Sequence, residues 1–316
     1  MTAYSIRRIG QGLVVVVAVS FITFLEAHLL PGNPARAILG VHASSAQIAA
    51  FDRANGYNEP LPLQYLDYVD RLIHGNLGFS YQLNQSVAAL LGERLPATVI
   101  LVGLSVVVAL TAAAPLAVLQ AVRRNKPVDY ALTGVSFTFY SMPTFWLGLM
   151  LIMLLAVKAH VFPPVAPQGS AGQILAHPLG LVLPVATLAF GSIASFSRYL
   201  RSSLLDNLTE DYVRTARAKG CSRRGVLYRH VFRNALAPII TLVGLSLPGI
   251  LSGALITETV FNYPGMGLLF WNSALSQDYP VLLGVTIVVA LGTVAGSLLA
   301  DLLYAVADPR VRYRRA

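Results

Sequence analysis

The residues able to do covalent chemistry do not assemble into any known catalytic spacing. None of the three lysines (Lys126, Lys158, Lys219) follows a glycine, so there is no Gly-rich phosphate loop of the Walker type. No histidine precedes a glutamate, which removes the zincin helix, and no serine sits in a Gly-x-Ser-x-Gly elbow. The six histidines are scattered and Cys221 stands alone, so the chain offers neither a metal-ligand spacing nor an intrachain disulfide. Ionisable groups inside apolar runs are the other place to look. Glu26 and His28 lie near one end of such a run, where snorkelling is cheap, and Asp301 lies about a turn from the end of another. Asp301 is expected to form an ion pair with a basic group of a neighbouring loop rather than to relay protons. These residues fit a non-catalytic chain.

The chemistry that the sequence does offer is mechanical. Thr209-Glu-Asp-Tyr-Val-Arg-Thr-Ala-Arg-Ala-Lys-Gly220 reads as a short, well-marked helix. Thr209 suits an N-cap. Glu210 and Asp211 suit the positive end of the helix dipole, and Arg217 and Lys219 the negative end. Gly220 suits the left-handed position just past the last turn. Ser222 then opens a second helix toward Asn234 and Pro238. A helix, a glycine turn and a second helix make a rigid lever. The plainer alternative is that the nine basic residues from Arg198 to Arg233 hold anionic lipid headgroups.

The elements that must position this lever follow from composition. Of 316 residues, 55% are hydrophobic and 12% charged, against about 25% charged in soluble domains. Mean hydropathy is +0.64. Such a chain cannot cover itself with polar groups, which excludes a soluble globule, a disordered chain and a disulfide scaffold. Six stretches are long enough to cross a bilayer, at Ile9–Ala27, Thr98–Leu119, Ala131–Val157, Leu179–Phe196, Ala237–Thr257 and Val281–Ala305. In lipid they must be helices. Prolines 115, 143, 184 and 248 fall inside four of them and are expected to kink them, which favours a pathway over an inert anchor. The fold class expected is thus an all-α membrane protein with six transmembrane helices.

With the N-terminus inside, 18 of the 23 basic residues face the cytoplasm, and only Arg36, Arg53, Arg71, Arg94 and Lys158 lie outside. The positive-inside rule therefore places both termini in the cytoplasm, and the net charge of +9 reflects topology rather than nucleic-acid binding. The first span resembles a signal peptide in Arg7-Arg8, but its apolar run is too long, and it reads as a retained helix. Three regions follow: residues 1–30 with the first span, an extracytoplasmic helical segment at 31–95, and a five-helix core at 96–316 whose cytoplasmic loop spans 198–236. In the outer segment, Ser44 and Gln47 form a capping box for a helix closed by Gly56. Leu66, Val69, Leu72 and Ile73 mark the face of a second helix that ends at His74-Gly75, and a third is expected from Ser86 to Leu95, before Pro96.

Tyr212-Val-Arg-Thr-Ala-Arg-Ala-Lys-Gly220, followed by His230-Val-Phe-Arg-Asn-Ala-Leu-Ala-Pro238, resembles the EAA loop of ABC importer permeases, in the peptide/nickel branch of dipeptide and oligopeptide permease B subunits. The likeness extends through Pro31-Gly-Asn-Pro34, Gly75-Asn-Leu-Gly78, Ser141-Met-Pro-Thr-Phe-Trp-Leu-Gly148, Glu258-Thr-Val-Phe-Asn-Tyr-Pro-Gly-Met-Gly267 and Asp308-Pro-Arg310. Departures are Arg214-Thr215 for Glu-Ala, Phe232-Arg233 for Leu-Pro, and Asn33 and Asn76 for Asp. The resemblance implies a subunit of the bacterial cytoplasmic membrane that binds no cofactor itself. Its partners would be a homologous second permease, two cytoplasmic ATPase subunits that bind ATP and Mg, and an extracytoplasmic substrate-binding protein. It implies an ATPase-coupling surface at Asp211, Arg214, Thr215, Ala216, Arg217 and Gly220. It also implies a gate or path lined by Ser141, Pro143, Phe145 and Trp146 together with Glu258, Phe261, Pro264 and Gly265. The cargo expected is a di- or oligopeptide. Nickel chelates and other small ligands remain open, as does ion-coupled secondary transport by the chain alone.

Overall fold

Backbone that meets no water has to satisfy its own hydrogen bonds, and the chain does so almost entirely as helix. A computed structural model describes residues 2–29, 34–40, 42–236, 239–240, 242–243 and 255–307. The first half comprises α1 (Thr2–Leu29), α2 (Pro34–Leu39), α3 (Ser45–Ala54), α4 (Leu61–Ile73) and α5 (Val87–Val122). A two-residue antiparallel hairpin, β1 (Phe79–Ser80) on β2 (Gln85–Ser86), precedes α5 and pairs Phe79 with Ser86. Then come α6 (Pro127–Ser141), α7 (Thr144–Leu151) continued as a π-helix over Ile152–Lys158, α8 (Ala171–Ala176) and α9 (Val182–Leu208). The second half holds α10 (Asp211–Ala218), α11 (Arg223–Gly225) with a π turn at Val226–Val231, α12 (Phe232–Ala235), α13 (Leu255–Val260), α14 (Met266–Leu275) and α15 (Tyr279–Ala307).

Among the described residues, three helices are long and apolar enough to cross a membrane: Val87–Val122, Pro178–Leu208 and Tyr279–Leu298. The expected third span is not a kinked helix. It breaks into α6 and α7–π, which meet at 103°. The cause is local: Met142, forced out of helical geometry by the proline that follows it, is extended (φ −73°, ψ 131°), and so is Pro143 (φ −58°, ψ 133°). Conversely, the expected short helix at Ser86–Leu95 and the second span are one helix, α5, which passes through Pro96 and Pro115. Leu90 and Leu91 on one side of Pro96, and Ala97 and Leu101 on the other, are buried, so packing keeps the segment helical across the missing bond. The basic stretch is also less of a loop than expected, because α9 continues to Leu208 and carries Arg198 and Arg201. Most of the expected fifth span, the motifs at Pro31–Pro34 and Asp308–Arg310, and the ion pair expected of Asp301 lie outside the described residues and side chains.

In the segment between α1 and α5, the Ser44–Gln47 capping box forms and α3 ends before Gly56, which is left-handed (φ 72°). The buried face of α4 differs from the expected one: Leu66 and Ile73 are exposed, while Tyr65, Tyr68, Val69 and Leu72 pack on Phe24 of α1 and Ile287 of α15. Aromatic rings supply more buried area than aliphatic tips, and here they also bond: Ser20 and Tyr65 share a hydrogen bond of 2.9 Å, and His28 reaches Gln64 at 3.0 Å.

Among the described residues, the most extensive helix pair is α5 against α9. At one end of that pair, an ion pair joins α6 to α9. Arg201 donates Nε to Asp129 Oδ1 (3.0 Å) and Nη2 to Oδ2 (2.7 Å), and the Asn125 amide donates to the same carboxylate at 3.0 Å. Asp129 is buried, and its carboxylate is held by three hydrogen bonds, two of them from the Arg201 guanidinium. Removing one partner strands the other, at a cost of about 3 kcal/mol. Asp129→Asn should lower the thermal midpoint of the detergent-purified protein accordingly, and the double variant Asp129→Leu with Arg201→Met should recover most of it. An unchanged midpoint in the single variant would refute the assignment.

Candidate functional site

The lever helix α10 forms as its residues require, with one change at its start. Thr209 does not cap it: its hydroxyl donates to the Asp206 carbonyl (2.8 Å) and closes α9 instead, while Glu210 takes the cap position without a side-chain bond. The far end is a glycine-terminated turn. Gly220 N–H donates to Arg217 O (3.0 Å) and Cys221 N–H to Ala216 O (3.2 Å), with Gly220 at φ 82°. Ser222 then caps the next helix through the Gly225 amide. One face of α10 is committed to the chain's own core. Val213 and Ala216 are buried with Ala117 and Ala121 of α5, Leu200 and Leu204 of α9, and Val226 and Val231 beyond the turn. Tyr212 adds a hydrogen bond from its hydroxyl to Asn207 (2.8 Å). The opposite face is free: Asp211, Arg214, Thr215, Arg217 and Gly220 are all exposed. Of the expected coupling residues, Ala216 alone faces inward, where it seats the helix.

The expected gate residues divide in two. Ser141, Pro143, Phe145 and Trp146 are exposed around the break between α6 and α7. Glu258, Phe261, Pro264 and Gly265 are buried, so this segment is no solvent-facing loop. The two groups' elements meet at Gly148 of α7, where an added Cβ would stand 3.2 Å from the Phe261 ring. A cavity of about 530 Å³ lies beside α6, α7 and α9, walled by Tyr140, Met142, Thr144, Thr187 and Ser195 among others.

Glu258 is the organising group of the buried half, and it is fully buried. Its Oε2 accepts from the backbone amides of Gly267 (2.7 Å) and Leu268 (3.0 Å), and its Oε1 from the Thr98 hydroxyl (2.8 Å). Thr98 in turn accepts from the Met266 amide at 2.8 Å. The first three amides of α14 are thus all satisfied by two side chains from α13 and α5, and the helix dipole favours the carboxylate there. The geometry needs glycine: a Cβ at Gly265 would collide with the carboxylate, and one at Gly267 would lie 2.5 Å from the Leu255 backbone. Tyr263 completes the joint by donating to the Ala97 carbonyl (2.6 Å), and the Ala166 amide donates to Phe261 O (2.9 Å).

Sequence reasoning missed Thr98, Tyr263, Asp129 and the buried hydrogen bond from Ser80 to Asp278, whose carboxyl burial pushes upward in pKa. Asp129 had a signal, an acidic residue just after a helix-opening proline. Thr98 had none, since its partners are 160 residues away or more. The joint makes a local expectation. Glu258→Ala removes the oxygen that accepts from both backbone amides, so the Gly267 and Leu268 amides should exchange hydrogen at least about tenfold faster, a loss of order 1.5 kcal/mol. Hydrogen-exchange mass spectrometry of the peptide covering residues 262–272 reads this. Unchanged exchange there would remove Glu258 from its capping role.

Residues 113–313 match the family described as binding-protein-dependent transport system inner membrane component, and residues 1–102 match the N-terminal region of such membrane components. The oligopeptide transport system permease protein AppB of Bacillus subtilis is 38% identical over 99% of this chain and 100% of its own length. The dipeptide transport system permease protein DppB of Escherichia coli is 34% identical with both chains fully covered. The probable D,D-dipeptide transport system permease protein DdpB of the same species is 38% identical over 98% of each. With an exposed lever seated on a membrane-helix core and matches along nearly its whole length, the chain belongs to the family of inner membrane components of binding-protein-dependent transport systems, the permease subunits of ABC importers.

Proposed function

We propose that this chain is the permease through which an ATP-driven importer moves di- or oligopeptides inward across the bacterial cytoplasmic membrane. The observation that carries the reading is the divided helix α10, with Val213 and Ala216 locked into the core while Asp211, Arg214, Thr215 and Arg217 stay exposed. Such a face suits a docking partner better than lipid headgroups, because Asp211 and Arg214 offer both signs of charge. The cargo follows the names of the relatives, which are peptide permeases. In this reading six helices cross the membrane, the bent α6–α7 pair counts as one crossing, and both termini are cytoplasmic, the orientation favoured by the placing of 18 of 23 basic residues on that side. Residues 31–95 form the extracytoplasmic unit. A homologous permease, two ATPases carrying ATP and Mg, and a binding protein complete the assembly. Closure of the ATPases pushes α10. The α6–α7 break, with Ser141, Pro143, Phe145 and Trp146, and the Glu258 joint, with Phe261, Pro264 and Gly265, act at the path.

Gly220 tests the lever. A β-branched residue at its left-handed geometry is strained by roughly 1–2 kcal/mol, too little to prevent membrane insertion but enough to re-aim α10. Gly220→Val should reach normal abundance in the membrane, bind the ATPases weakly and lose peptide uptake together with substrate-stimulated hydrolysis. Wild-type uptake by this variant, with uptake abolished by Arg223→Gln plus Arg224→Gln, would favour headgroup anchoring instead.

Topology is tested separately. Cys221 is exposed and, if cytoplasmic, should resist an impermeant thiol reagent in intact cells until the membrane is opened. In a Cys221→Ser background, Glu59→Cys should react at once. The reverse pattern would overturn the orientation.

A further inference from the structure

The outer unit contains a cavity that neither the lever nor the Glu258 joint uses. It has a volume of about 220 Å³ and lies between α4, the outer end of α1 and the start of α15. Four tyrosines (Tyr57, Tyr68, Tyr81, Tyr279) and two phenylalanines (Phe24, Phe79) contribute to its walls. Two opposite charges also line it, Asp67 and Arg71, one turn apart on α4. An Asp and an Arg at this spacing on a helix face are within reach of each other. Here neither side chain makes an ion pair or hydrogen bond among the described residues, although His74 lies close to Asp70 on the same helix. Both charges thus line the cavity, open to solvent and without a partner among the described side chains, and aromatic faces beside them suit an ammonium group.

We propose that this cavity binds the zwitterionic end of a small ligand, with Arg71 taking the phosphate or carboxylate and Asp67, with the surrounding rings, taking the ammonium. Arg71 offers a planar fork for an oxyanion, and Asp67 offers only acceptors, so the two cannot exchange roles. The volume is below the range of about 300–1,000 Å³ for drug-sized ligands, which fits a headgroup or a peptide terminus rather than a longer molecule. Two sources carry this chemistry. A phosphoethanolamine headgroup would reach the cavity from the lipid beside α1 and α15, and a short peptide would reach it from the aqueous side. The proposal does not depend on which cargo the importer moves.

The test uses the full chain in nanodiscs of phosphatidylglycerol, with radiolabelled O-phosphoethanolamine and dialanine as separate probes in equilibrium dialysis. At least one probe should bind saturably, and Asp67→Asn and Arg71→Gln should each weaken it by about tenfold or more. Both residues are exposed, so the variants should keep the fold, which circular dichroism checks, and Asp70→Asn on the same helix should bind as wild type. Binding of O-phosphoethanolamine alone assigns the site to a lipid headgroup, and binding of dialanine alone assigns it to a peptide terminus. The proposal is overturned if neither probe saturates, if the Asp67 and Arg71 variants bind as wild type, or if inorganic phosphate competes as well as the zwitterions do.

Discussion

A fully buried carboxylate needs hydrogen-bond donors on every side, and Glu258 obtains them from two other helices. Its oxygens collect the Gly267 and Leu268 amides and the Thr98 hydroxyl, while Thr98 takes the Met266 amide. Losing any one donor would leave a buried polar oxygen short of a partner, so α5, α13 and the start of α14 are held in one geometry. That requirement dictates the two glycines at the collar, the buried Tyr263 and the return of the chain from α7 to pair Ala166 with Phe261. This end of the molecule is consequently a stiff joint next to a broken helix.

The other end is built by different means toward the same result. There α10 is held by apolar seating against α5 and α9, and α6 is pinned to α9 by the Asp129–Arg201 pair. Since α5 runs the full length between the two ends, from Val87 to Val122, it carries Thr98 in one joint and Ala117 and Ala121 in the other. The exposed helix α10 is thus seated on a helix whose far end is bonded to Glu258. The bend at Met142-Pro143 is where the chain has no continuous helix to resist.

Much of this was legible in the sequence, and the reasons for the rest are physical. Short-range signals read true: the Ser44–Gln47 box, the glycine turn at Gly220 and the Ser222 cap all depend on residues within a turn of each other. Proline was ambiguous. At Pro143 the extended preference of Met142 won and the helix broke, whereas at Pro96 and Pro115 flanking packing won and it continued. Thr209 could cap forward or close backward, and its hydroxyl took the Asp206 carbonyl. The burial of Glu258, Phe261, Pro264 and Gly265 was not legible locally, because it depends on Thr98 and Ala97, which lie far away in the chain.

The central claim is that α10 moves with α5 as one body rather than flexing on its connections. Spin labels at Arg124→Cys, just beyond α5, and Arg214→Cys, on the exposed face of α10, measure it directly in a Cys221→Ser background. Pulsed electron–electron resonance on the assembled importer, with and without ATP, compares their separation while hydrolysis is verified on the same sample. The account predicts distance distributions that coincide within about 2 Å, whereas a shift on the order of one helical turn, about 5 Å, would show that the lever is not fastened to the core.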